Sequence, residues 1–149
     1  MVLIITKEKG GFMSIISLSF QQWNKIQDNS NSLILIEFWA DWCGPCKEMT
    51  TIYQDTQHKN EFYEKNTTLQ HVSFFQVNVD TEQKLTQLFN IKSIPALIGL
   101  RGKDIIFQHE GSYTPSFIEE KINLFRTQIF RKNIFVFFRS DFTYFFIFF

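Results

Sequence analysis

Cys43 and Cys46 are the only two cysteines of this 149-residue chain, and they lie three positions apart in the run Trp42-Cys-Gly-Pro-Cys-Lys47. A Cys-x-x-Cys at the mouth of a helix has a definite chemistry. Free backbone N–H groups and the helix dipole favour negative charge on the first sulfur, so the Cys43 thiol is expected to ionise below its ordinary range. Cys46 lies one turn further in and can reach Cys43 to close a disulfide. Pro45 pre-sets helical φ in the first turn, where its missing N–H costs nothing. One competing chemistry is half of a zinc site, which needs two more ligands. No further cysteine exists and His58, His71 and His109 have no pair spacing, so no metal is expected. The other alternative, a pair of inert buried thiols, fits poorly with a Trp-Cys-Gly-Pro-Cys turn.

The elements that must hold this pair follow from the hydrophobic pattern. Leu33-Ile-Leu-Ile-Glu-Phe-Trp39 is an apolar run broken once, by Glu37, as a central buried strand would be. A helix is expected from near Cys43 into Tyr63, closed by Asn66-Thr-Thr68. Before them, Ser14–Leu18 reads as a short strand, and Phe20, Trp23 and Ile26 recur at helical spacing. After them comes a strand over Val72–Val79, then Asp80 as N-cap of a helix turning Leu85, Leu88 and Phe89 inward. Ala96–Leu100 and Asp104–Gln108 flank Arg101-Gly-Lys103, a hairpin pattern. Thr114-Pro115 opens a last helix with Phe117, Ile118, Ile122 and Phe125 on its apolar face. The order implies an α/β fold, a three-layer sandwich whose central mixed β-sheet is flanked by helices on both faces.

Composition bounds the function. Fifteen basic and fifteen acidic side chains give zero formal charge, so no nucleic-acid partner is expected. Charge is uneven along the chain: residues 1–12 carry a net +1, residues 13–127 a net −3 and residues 128–149 a net +2. Residues 1–12 lack an apolar run with a cleavage site and are read as a translated leader ahead of a start at Met13, or as a disordered arm. Nine of the 19 phenylalanines fall between Phe130 and Phe149. Residues 129–149 are therefore set apart as a Phe-rich C-terminal tail without an assigned role. Arg139, Ser140 and Asp141 interrupt its apolar run, so it is too broken for a spanning helix, and read-through in an AT-rich genome is favoured over membrane contact.

Phe38-Trp-Ala followed by Trp42-Cys-Gly-Pro-Cys-Lys47 resembles the active-site signature of the thioredoxin family. Val77-Asn-Val-Asp80 is similar to the family's third strand and next helix start, Ser93-Ile-Pro-Ala96 to its cis-proline turn, and Gly111 to the glycine after its last strand. The resemblance covers residues 13–128. It implies a thioredoxin-like sandwich and a cytoplasmic, monomeric protein-disulfide reductase with no cofactor beyond the Cys43–Cys46 disulfide. Electrons would come from a thioredoxin reductase and pass to disulfide-containing target proteins. The alternatives are a membrane-associated or exported reductant for a dedicated substrate, and a binding subunit with secondary redox activity.

Chemistry and resemblance together imply roles. Cys43 attacks the substrate disulfide, and Cys46 resolves the mixed disulfide. Glu37 is the buried base for Cys46, where the family normally has aspartate. Gln76 stands where the family often has a lysine; without that cation the Glu37 pKa is expected to rise. Pro95 leaves the Ile94 backbone free for strand-like pairing with a target, and Trp42, Gly44, Pro45, Ile94 and Gly111 would form an apolar docking rim. Ser93 and Glu110 replace a glycine and an apolar residue, which predicts a different partner preference, and Thr51 replaces a helix-kinking proline. About eight extra residues extend the helix and loop through Asn60–Thr68, with no chemistry assigned to them.

Overall fold

A computed structural model describes residues 15–27, 32–66 and 71–137. The elements run β1 (Ile16–Ser17), α1 (Phe20–Ile26), β2 (Leu33–Trp39), α2 (Gly44–Asn66), β3 (Val72–Asn78), α3 (Gln83–Leu88), β4 (Ala96–Arg101), β5 (Asp104–Glu110) and α4 (Pro115–Phe137). This is the expected order. One five-stranded sheet is ordered β1-β3-β2-β4-β5, with β1–β3 and β2–β3 parallel and β2–β4 and β4–β5 antiparallel.

Successive strand residues point to opposite faces, and this sorts the core. Ile34, Ile36 and Phe38 of β2 pack with Trp23 of α1 and with Leu85 and Phe89 around α3. Leu33 and Leu35 pack with Met49 and Tyr53 of α2 and with Ile118, Ile122 and Phe125 of α4. Glu37 continues the second series, so the pleat alone sends its carboxyl toward the layer that holds both cysteines. Parallel register sets Gln76 of β3 beside it.

Several local features hold these elements in place. Ser19 and Gln22 form a reciprocal capping box at the start of α1. The Tyr53 hydroxyl lies between β2 and β3, 2.8 Å from Leu35 O and 3.0 Å from Phe75 O, and accepts from Phe75 N at 3.2 Å. At Gly99, where β4 meets β5, the Phe107 ring occupies the space that a Cβ would fill.

The elements depart from the sequence expectation at particular places. Asp80 is not a cap: α3 begins at Gln83, Glu82 precedes it without a side-chain cap, and the Asp80 carboxylate accepts from the Trp42 indole instead. Leu88 is exposed, because a six-residue helix buries little more than one side-chain row, here Leu85 followed by Phe89. The first strand covers only Ile16–Ser17. Helix α2 ends at Asn66, where the expected closing run begins, but α4 runs without a break to Phe137, so residues 129–137, assigned above to the tail, continue its helical backbone. The leader expected over residues 1–12 and the rest of the tail, residues 138–149, lie outside the described residues. Among the described residues, no helix is long and apolar enough to cross a membrane.

Candidate active site

The end of β2 and the first turn of α2 place the two sulfurs. Ala40 accepts a hydrogen bond from Cys43 N at 3.1 Å, which closes the turn after the strand, and α2 then starts at Gly44. Cys43 and Cys46 are joined by a disulfide, their Cα atoms 5.3 Å apart. The Cys46 backbone N–H donates to Cys43 Sγ at 3.3 Å. This is the free donor of a helix N-terminus directed at the first sulfur, the arrangement that favours a thiolate when the bond is reduced. Both residues are buried, Cys43 at 5% exposure and Cys46 at 1%, so Cys43 is the slightly more exposed residue of the pair.

Ala40, Cys43 and Cys46 form one small cluster, packed by Trp39, Val79 and Ile94. The Ile94–Pro95 peptide is cis, and Pro95 O accepts from Gly111 N at 2.8 Å. Gly111 has φ +101°, a conformation that favours glycine. The sheet thus gathers Cys43, Gly44, Pro45, Cys46, Ile94, Pro95 and Gly111 at one end. Gly44 and Pro45 are exposed, Ile94 and Gly111 half-buried, and Pro95 buried. Trp42 is 69% exposed, with its indole N–H donating to Asp80 Oδ2 at 2.9 Å, so its ring is held rather than free.

Glu37 is fully buried. Its Oε2 accepts from Gln76 Nε2 and from Thr50 Oγ1, the latter at 3.4 Å, and its Oε1 accepts from the Tyr113 hydroxyl at 3.0 Å. Cys46 and Thr50 are four residues apart on α2 and share a helix face, so the acid lies under the face that carries Cys46. Burial pushes the Glu37 carboxyl up to about 7 from an ordinary value of 4.5, against the three hydrogen bonds, which pull it down. The rise is in the direction expected from a glutamine at position 76.

Sequence reasoning missed Tyr113 and Thr50. Nothing local marks Tyr113 as a partner of an acid 76 positions earlier; only the loop from Gly111 into α4 brings the two together. Glu110, a departure from the family pattern, has partners that the sequence does not mark. Its carboxylate accepts from Ser93 N at 3.0 Å and Ser93 Oγ at 2.7 Å, which ties β5 to the segment before Pro95 and holds the Glu110 carboxyl below its ordinary value. Among the described residues, no group of three or more His, Cys, Asp or Glu side chains is arranged to hold a metal ion.

Comparison with known proteins agrees with this geometry. A thioredoxin from Nicotiana alata superposes with a TM-score of 0.63 at 26% identity, over 75% of this chain and 92% of that one. The chain is 26% identical over 112 residues to a thioredoxin of Buchnera aphidicola, covering 72% of this chain and 96% of that protein. It is 33% identical over 82 residues, 55% of its length, to "Putative thioredoxin 2" of Streptomyces coelicolor, and there it spans about half of the relative, 54%. The thioredoxin family model matches residues 14–123. With a Cys-x-x-Cys disulfide at the head of α2 in a matching mixed sheet, the chain belongs to the thioredoxin family, and its domain is a protein thiol–disulfide oxidoreductase.

Proposed function

We propose that the whole protein reduces disulfides of target proteins, with Cys43 as the attacking thiolate, Cys46 as the resolving thiol and Glu37 as its base. The Cys43 thiolate attacks one sulfur of the target disulfide; the new Cys43–target bond forms as the target's S–S bond breaks, and the second target sulfur leaves as thiolate and takes up a proton. Cys46 gives its proton to the Glu37 carboxylate and attacks Cys43 Sγ. The Cys43–Cys46 bond forms, the Cys43–target bond breaks, and the remaining target sulfur leaves as thiolate. Two electrons have passed to the target, and a thioredoxin reductase returns two electrons and two protons to the pair.

The observation that carries this reading is the disulfide at the N-terminus of α2, with the Cys46 N–H directed at Cys43 Sγ. The target docks on the rim of Trp42, Gly44, Pro45, Ile94 and Gly111, where Ile94 offers backbone groups because Pro95 has no N–H of its own. Gly-Pro between the cysteines resembles thioredoxins proper, whereas related isomerases and periplasmic oxidants usually carry histidine there. That supports a reductant rather than an isomerase or oxidant, and we place it as a monomer in a reducing, cytoplasmic compartment. Insulin reduction, driven by dithiothreitol or by a thioredoxin reductase, tests the reading. Wild type is expected to accelerate precipitation of the insulin B chain and Cys43→Ser to give no acceleration. Equal rates for the two chains would remove Cys43 from its role.

A further inference from the structure

We propose that Tyr113 is a positioning residue of the exchange, its buried hydroxyl holding the Glu37 carboxylate ready for the Cys46 proton and so setting the pH above which Cys46 closes on Cys43. This rests on the reading of Glu37 as the base for Cys46.

The argument starts from the donors around a fully buried carboxylate. Oε2 has two, Gln76 and Thr50, and these also contact one another, with Gln76 Nε2 3.3 Å from Thr50 Oγ1. Among the described residues, Oε1 has a single partner, Tyr113 Oη at 3.0 Å. A buried anion without a donor on one oxygen carries the cost of removing that oxygen from water uncompensated. The Tyr113 hydroxyl therefore favours the ionised form, the only form that can take a proton. Once the carboxyl is protonated, the same hydroxyl can turn and accept from it, which an amide N–H cannot do.

The fold holds Tyr113 rigidly. Its backbone N–H points at Met49 Sδ, 3.1 Å away on α2, and its ring stacks on Phe117 at a 27° interplanar angle. The loop that carries it begins at Gly111, whose N–H is bonded to Pro95 O, so the docking rim and the acid's partner share one short segment. The side chains that interact with Glu37 are Gln76 from β3, Thr50 and Tyr53 from α2, and Tyr113; the neighbour on β4 is apolar Leu97. The His109 ring lies edge-on to Tyr113, with the ring centroids 6.3 Å apart.

Stopped-flow reaction of the reduced full chain with dithiobis-nitrobenzoate gives a direct readout. The first coloured thiolate reports attack by Cys43, and the second reports Cys46 closing on it. Tyr113→Phe is expected to raise the pH inflection of the second release by about one pH unit, from the loss of one hydrogen bond to a charged group. At pH 7, with the wild-type carboxyl at about 7, that is a rate reduction of roughly fivefold. A chain with 3-fluorotyrosine at position 113, a more acidic donor of almost the same shape, is expected to lower the inflection, and it serves if Tyr113→Phe does not fold. Glu37→Gln is expected to abolish the inflection and His109→Asn to leave it in place. An unmoved inflection in the Tyr113 variants, with Glu37→Gln abolishing it, would leave Tyr113 as packing and overturn the proposal alone. An inflection that survives Glu37→Gln would overturn the base itself, and the role of Tyr113 with it.

Discussion

Replacing Glu37 by Gln should change how the stability of the oxidised chain depends on pH. In the folded chain burial holds the carboxyl at about 7, against 4.5 when it is exposed. Below about 4.5 it is protonated in both states and its contribution is fully present. As pH rises from there, the unfolded chain releases the proton while the folded chain keeps it, so stability falls until pH passes about 7. A gap of that size corresponds to about 3 kcal/mol. Other groups titrate too. Glu64, held below its ordinary value by His71, Val72 and Asn60 despite the opposing effect of burial, contributes stability that is lost as pH falls. His71, raised by Glu64, contributes stability that is lost as pH rises. Both are present in either chain and cancel in the difference. Denaturant titrations of wild type and Glu37→Gln between pH 4 and 8 read that difference. The two chains should be closest near pH 4, and the variant should gain about 3 kcal/mol relative to wild type by pH 8. A difference that does not change with pH would refute the assignment of Glu37 as a carboxyl carrying an unfavourable buried charge.

Two substitutions test the scaffold around the site. Gly99→Ala places a methyl 2.1 Å from the Phe107 ring, which is itself packed edge-on against Phe117, so the ring must move. A loss of about 1–3 kcal/mol is expected in thermal or denaturant unfolding. Tyr53→Phe removes the hydroxyl that joins β2 and β3 and leaves Phe75 N without that acceptor. It should cost about 1–3 kcal/mol, with faster amide hydrogen exchange at Phe75 as the local signature.

Element order and the reactive pair were legible because both are local properties. The apolar run Leu33–Trp39 and the Thr114-Pro115 start of α4 carry their own periodicity and turn chemistry, and Glu37 was conspicuous as the one charge in a buried strand. The Glu37 cage was not legible, because Tyr113 is an aromatic residue like its neighbours until a loop sets its hydroxyl against an acid 76 positions away. Asp80 departs from its expected capping role for the opposite reason. Aspartate is a good N-cap in the abstract, and only the fold brings the Trp42 indole, 38 positions earlier, within 2.9 Å of it. Leu88 shows the limit of spacing arguments, since helical periodicity does not say that α3 will stop after six residues with that side chain facing outward.

The order of attack in the exchange is open to one direct observation. Reduced Cys46→Ser and Cys43→Ser chains are mixed with oxidised insulin, quenched with acid and weighed by intact mass spectrometry. The Cys46→Ser chain is predicted to accumulate a covalent insulin adduct at Cys43 that dithiothreitol removes, and Cys43→Ser to accumulate little or none. An adduct of equal yield on the Cys43→Ser chain, or none on Cys46→Ser, would contradict exchange through Cys43.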